Sequence, residues 1–578
     1  MILVQRIGAD RARYHAGGPG RWLGAGRGPL GLEGPVRTDA LRAVLGGRDP
    51  YSGTPLPMTR TSRRRPGWEL VIAAPKSLSL LAVLASEQRG AGGLGRALVE
   101  AHGAGVLAAL EHLEVRATFF GDGGRPAGGG LVVAAFSHSA NAAGEPHLHD
   151  HLVVANLLEA ADRWRALDGR RLWWERRAAD AVYSLAVRHH LSRSGFALAW
   201  RPLPGGGAEV EGIGRGAIEA ASGRRHQAIV DASRWGTRRA QEVGRRRTRS
   251  TARERAPHQE WRARVAAAGL DDAGVARVVG MARAPGGRLT TQPAPPGPQV
   301  SAIPASAAAD TAATMGGAGP DVIEEVERKL LGAGSRFREA DVFPAIAEVV
   351  LPGAGPAQVR RWVAEVCARA SPAGGAMFVS PLAAGEDRAV TAAALARAGS
   401  GAGVAARQLG HAGQGACDST AQAAVRRLVC DGHGVEVLGP PPTAQAAGGE
   451  APLLAQAVVV DAARRAWEAA GHRVRVVAQS AVAAARWEAL TGLGAHRPEG
   501  PAPTVMIVDR ADRMATPQLG SLLAEAAADA VKVVLVVGGT APVRHPPRSA
   551  VLERLAAGLG LVVPGPPPDL GPPLPAAP

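Results

Sequence analysis

The segment LVVAAFSHSANAAGEPHLHDHLVVANLL, residues 131–158, constrains the fold more than any other stretch of the chain. Two runs rich in Val, Leu and Phe flank SANAAGEP, whose Asn, Gly and Pro favour a turn, so the spacing predicts a β-hairpin. With the turn centred between Ala143 and Gly144, His138 lies opposite His149 and diagonal to His151. Directly opposed Cβ atoms in such a pair are about 4.5–5.5 Å apart and diagonal ones roughly 7–8 Å. Side chains alternate along a strand, so His149 and His151 share a face and Asp150 points to the other. Three imidazoles on one face can close on a single divalent ion, at about 2.0–2.1 Å if it is zinc-like. His147 falls on that face too, and spacing alone leaves His147 and His149 as an alternative pair. Three or four histidines on one face, out of 16 in the chain, favour a metal centre over ordinary strand histidines.

At 578 residues the chain is too long for one ordinary core, and two or three domains are expected. Residues 1–285 alternate strand-like and helix-like runs and read as an α+β domain. Strands are expected over 68–74, 130–138 and 147–158, helices over 94–114 and 175–194, and an Arg-dense helical stretch over 222–264. Residues 286–320, poor in large apolar side chains and rich in Pro, Gly, Ala and Thr, read as a linker. A small helical region is expected over 321–417, an α/β region over 418–564 and a disordered Pro-rich tail over 565–578.

Lys+Arg 67 against Asp+Glu 51 leaves a net charge of +16, which suits a polyanionic partner, nucleic acid first and an anionic membrane surface second. The three cysteines form no CxxC pair, no apolar run reaches the roughly 18–20 residues of a membrane span, and MILVQRIGADRAR lacks a signal-peptide layout. The expectation is a cytoplasmic protein without membrane insertion.

FSHSANAAGEPHLHDHLVVAN resembles the metal-binding signature of MobF-type relaxases, the TrwC/TraI-like enzymes of plasmid transfer, in which a His is followed after ten residues by His-x-His. That register implies His138, His149 and His151 as ligands and leaves His147 as an extra residue beside them. RARYHAGGPGRWLG resembles the family's N-terminal tyrosine motif, which implies Tyr14 as the nucleophile; Tyr51 and Tyr183 complete the tyrosine inventory. The family commonly has two adjacent tyrosines where this chain has Tyr14 and His15. PGWELVIAAPKSLSLL resembles a strand-loop-helix segment whose strand carries an aspartate near the active site, and Glu69 occupies that position, to orient a ligating histidine or to take the tyrosine proton. Arg60, Arg63, Arg64 and Arg65 form a basic run suited to phosphate. The resemblance extends to about residue 285 and implies an antiparallel sheet flanked by helices, of the His-hydrophobic-His endonuclease type.

From about residue 418 the chain is similar to the family's helicase half, as a partial P-loop-like region. The stretch after Gly439 reads GPPPTAQAAGG in place of a phosphate loop: it has no Lys, and its prolines remove amide donors. Asp509 in TVMIVDRADRM resembles the acidic residue of a Walker B strand, followed here by Arg510. No ATP use is expected.

The resemblance therefore implies site- and strand-specific nicking of single-stranded or extruded DNA at a transfer origin, with other relaxosome proteins as further partners. Tyr14 acts as nucleophile beside a divalent ion, Mg²⁺ or Mn²⁺ first and Zn²⁺ or Ni²⁺ as alternatives. A catalytically impaired DNA-binding remnant and a rolling-circle replication initiator are the competing expectations.

Overall fold

A computed structural model describes residues 2–563 apart from 8–19, 58–64, 89–92, 121–124, 127, 142–143, 161–162, 224–257, 283–319, 375, 406–418, 441–450, 494–502 and 539–549. The chain divides into two compact units, one made of Met1–Ile323 and Ala340–Ala364, the other of Glu324–Glu339 and Glu365–Pro578.

In the first unit, β1 (Ile2–Arg6), β2 (Gly20–Leu23), β3 (Gly67–Ala73), β4 (Val133–Ala140) and β5 (Pro146–Ala155) form an antiparallel sheet in the order β1-β3-β5-β4-β2. Helices α1 (Lys76–Glu87), α2 (Leu94–Ala117), α3 (Arg170–Trp174) and α4 (Arg176–Arg193) complete the layer that positions the site. The period of two decides which residues form the core. Leu148, Leu152 and Val154 of β5 join Leu70 and Ile72 of β3 under Leu80, Leu81, Leu98 and Leu110 of the helices. Val153 and Ala155 face the other way, into a smaller cluster with Trp22, Leu41 and Phe136. Each fully buried leucine contributes about 1.5–3 kcal/mol relative to exposure.

Helix α2 is Ala- and Leu-rich, which favours its long uninterrupted run, and it packs along α4. A Cβ at Gly105 would stand 2.6 Å from Val187 and 2.8 Å from Tyr183, so the glycine permits the close approach of these two helices.

Residues 340–364 belong to this first unit, so the helical region expected over 321–417 is shared between the two units. The last carbonyls of α5 (Glu339–Val349) need donors that their own helix cannot supply. Arg188 of α4, only 1% exposed, provides them: its Nη2 donates to the carbonyl of Ala347 at 3.0 Å and its Nη1 to that of Leu351 at 3.4 Å. Arg360 pairs with Glu111 at 2.9 Å, and the ring of Phe343 meets that of His112 edge-on at 4.7 Å.

The second unit contains an all-parallel sheet of β6 (Val435–Leu438), β7 (Val474–Val477), β8 (Val505–Val508) and β9 (Lys532–Val536), in the order β6-β9-β8-β7. Short, nearly continuous apolar runs such as VMIV and KVVLV suit strands covered on both faces by crossover helices. The expected linker lies outside the described residues except for Pro320, which opens the helix Pro320–Ala333, and the Pro-rich tail lies outside them too. Most of the Arg-dense stretch over 222–264 does so as well; its end forms the helix His258–Ala267. Among the described residues no helix is long and apolar enough to cross a membrane.

Candidate metal centre

The hairpin of β4 and β5 pairs His138 with His149 and Phe136 with His151, the register expected from the turn position. The register slips by one between His138 and Ala140, where Ala140 pairs with Pro146, and Gly144 takes a φ of 77° that a side chain rarely tolerates. Asn141 closes the turn by donating Nδ2–H to Glu145 Oε2 at 2.9 Å and accepting the Glu145 amide at 3.1 Å. Lys76 holds the start of β5, its Nζ donating to the carbonyl of Pro146 at 2.6 Å; burial pushes this ammonium down to about 8.

The ring centroids of His138, His149 and His151 are 5.2, 5.2 and 5.0 Å apart, and one ligating atom from each lies within 4.8 Å of the others. His151 Nδ1 lies 2.6 Å from Oε1 of Glu69, and His149 Nδ1 lies 2.7 Å from the backbone carbonyl of His147. Both acceptors are oxygens, so each Nδ1 donates its N–H and Nε2 is the ring atom suited to a metal. The donor set is therefore chemically suited to a divalent ion: two imidazoles are set in the ligating tautomer and a third faces them. Burial first, then the charges of His151 and His138, lower the His149 pKa to about 4, so this ring is neutral near pH 7.

Glu69 is 2% exposed and sits in β3, which has a strand on either side. Its second oxygen accepts Nε2–H of Gln5, its cross-strand neighbour, at 3.0 Å. His147 lies outside the three-histidine cluster, although its ring is 4.5 Å from that of His149; its backbone carbonyl takes part in orienting that residue.

Residues 5–268 match the family model described as TrwC relaxase. They form a TrwC relaxase domain. One relative of this relaxase domain is the multifunctional conjugation protein TraI of Escherichia coli strain K12, 34% identical over 158 residues, which are 26% of this chain and 8% of TraI. The chain thus spans a small part of the curated relatives it matches. Among solved structures, a conjugative relaxase TrwC in complex with oriT DNA in a copper-bound form is 25% identical, covering 47% of this chain and 100% of that one with a TM-score of 0.40. TrwC complexed with a 27-mer DNA comprising the recognition hairpin and the cleavage site is 26% identical over the same shares, with a TM-score of 0.38.

The tyrosines of the relaxase domain differ sharply in setting. Tyr14, like Arg60, Arg63 and Arg64, lies outside the described residues. Tyr51 is exposed, and its hydroxyl donates to the carbonyl of Gly31. Tyr183 is buried at 2% exposure, and burial raises its pKa well above the usual phenol value. Its hydroxyl lies 2.8 Å from Nδ1 of His102, whose Nε2 lies 3.2 Å from Oδ1 of Asp150. Ser137 donates to the other Asp150 oxygen at 3.0 Å. Burial pushes the Asp150 carboxyl up, but His102, Ser137 and Arg21 together hold it below the usual range. This chain of groups occupies the sheet face opposite the histidine cluster.

Gln5 and His102 were not legible as site-supporting residues in the sequence. His102 had a faint signal, as a polar residue inside the apolar helical run EAHGAGVLAAL; Gln5 had none, since its role depends on β1 pairing with β3. A second grouping, Asp431, His433 and Glu436, also brings ligand atoms within 4.8 Å. Arg427 already pairs with Glu436 at 2.9 Å, and the buried Lys532, whose Nζ donates to the His433 carbonyl at 2.7 Å, brings a second cation beside the group.

Proposed function

We propose that this domain nicks one strand of DNA at a transfer origin by tyrosine transesterification, with a divalent ion on His138, His149 and His151 and with Tyr14 as the nucleophile. The observation that carries the reading is the convergence of His138, His149 and His151, whose ligand atoms lie within 4.8 Å of one another, with Nδ1 of His149 and of His151 held by an oxygen acceptor. A bound ion would draw charge from the non-bridging oxygens of the scissile phosphate. Glu69 orients His151 and offsets positive charge at the centre, and with both oxygens engaged it is better suited to positioning than to taking a proton. The Tyr14 oxygen would bond to phosphorus, giving a 5′-phosphotyrosyl link, while the departing 3′ oxygen leaves as a hydroxyl. Tyr14 precedes Gly20 by six residues, and Gly20 pairs with Phe136, which pairs with His151, so Tyr14 is within chain reach of the centre. The net charge of +16 favours a polyanionic substrate.

Mg²⁺ and Mn²⁺ are the proposed ions in cells, although three imidazoles bind transition metals such as Zn²⁺ or Ni²⁺ more tightly. The C-terminal unit is read as P-loop-like without ATP hydrolysis: its sheet is parallel, Asp509 sits just beyond β8, and the stretch after Gly439 offers no lysine. The test of nicking is incubation of the full chain with single-stranded oligonucleotides tiling the DNA beside its gene, with Mn²⁺ or with EDTA. Metal-dependent cleavage and a denaturant-resistant protein–DNA adduct are expected, the adduct vanishing in Tyr14→Phe. An adduct that persists in that variant removes Tyr14 from the role; binding without any cleavage favours a DNA-binding remnant.

A further inference from the structure

Ten tryptophans lie among the described residues, and eight of them are no more than 9% exposed. The remaining two are adjacent: Trp173 is 45% and Trp174 is 58% exposed, on the short helix α3. An indole is the largest apolar side chain, and two exposed side by side imply something that covers them. Arg171 lies between aromatic rings, its guanidinium carbon 3.9 Å from the centroid of Phe119 and 5.9 Å from that of Trp174.

The charge of this segment says what kind of partner fits. Residues 163–177 contain six arginines and two carboxylates. Both carboxylates are engaged, Asp168 with Arg170 at 2.8 Å and Glu175 with His112 at 3.2 Å, and Arg163, Arg170 and Arg177 are exposed. Aromatic faces interleaved with arginine match an unpaired nucleic-acid strand, whose bases offer free faces and whose backbone is anionic. A duplex would present only base edges, which a flat indole cannot stack on.

The segment is also tied to the strands that carry the metal centre. Gly169 packs against the ring of Trp68, the residue before Glu69. The amide of Leu167 donates at 2.8 Å to Oδ1 of Asn156, the residue after β5. We infer that Trp173, Trp174 and Arg171 form a base-stacking platform for unpaired DNA, distinct from the histidine cluster and attached to β3, which carries Glu69, and to the end of β5, which carries His149 and His151. The inference shares with the proposed function only the class of partner; it requires no cleavage.

The test is fluorescence anisotropy of the full chain with a labelled 20-nucleotide oligo(dT) and with an abasic 20-mer of equal charge, in EDTA so that nicking plays no part. The parent should bind oligo(dT) at least tenfold more tightly than the abasic strand. Trp173→Ala/Trp174→Ala should lose tenfold or more on oligo(dT) and less than twofold on the abasic strand, and Trp173→Phe/Trp174→Phe should recover most of the loss. Circular dichroism melting of each variant separates misfolding from lost stacking. Parent-like binding by the alanine variant, an equal loss on both strands, or a parent without base preference would overturn the platform and point to a protein partner for the tryptophan pair. Nicking measured separately distinguishes these outcomes from failure of the proposed function.

Discussion

Glu69 Oε1 lies 2.6 Å from Nδ1 of His151, a diagonal contact between neighbouring strands, where Glu69 pairs with Val153 and His151 with Val71, and 82 positions apart in sequence. The carboxylate fixes the orientation of the imidazole, and its burial makes that contact strong. Glu69→Gln removes the charge while keeping an acceptor of the same size, and should weaken Mn²⁺ binding by about 10- to 100-fold. Competition against a chelating dye measures it; unchanged affinity would show that Glu69 does not support the centre.

His147 and His149 separate a side-chain role from a backbone one. His149→Ala should abolish detectable binding of one Mn²⁺ per chain. His147→Ala keeps the carbonyl that orients His149 and should alter affinity by about threefold or less, since no ligating atom is removed. Isothermal titration of both variants decides between this set and the alternative pair of His147 and His149.

His149 predicts how the metal-free protein responds to acid. Its pKa falls from 6.5 to about 4 on folding, so between those values the unfolded chain binds the proton and the folded chain does not. Its contribution is fully present above about pH 6.5 and is lost as pH falls toward 4, by at most about 3 kcal/mol. Melting curves in EDTA across pH 4–7 should steepen in this window, and His149→Gln should flatten them. An identical profile in the variant would place the acid sensitivity elsewhere.

Tyr183→Phe should cost about 1–2 kcal/mol of stability, because it removes the hydroxyl that meets His102 in a buried site. Urea denaturation checks the loss. The same variant should form covalent DNA adducts like the parent, since Tyr183 is sealed against the sheet face opposite the histidines; loss of adduct in a stably folded variant would reopen the choice of nucleophile.

Arg188 ties residues 340–364 to the rest of the first unit. A fragment ending at residue 285 leaves this buried guanidinium without the carbonyls of Ala347 and Leu351, and should be less stable than one ending at residue 364 by about 2–4 kcal/mol. Equal unfolding midpoints for the two fragments would mean that α5 adds nothing to the domain.

The sequence alone determined what has a short period. Strand alternation put His149 and His151 on one face and Asp150 on the other, and the turn formers in SANAAGEP set His138 opposite His149, because both depend on residues close in the chain. What joins distant segments was decided only by the tertiary structure: Glu69 as the partner of His151, Gln5 behind it, Tyr183 buried against His102, and Arg188 capping α5. Each depends on which elements pair across tens of residues, and that is set by how whole faces bury against one another, a sum over many side chains that no local pattern records.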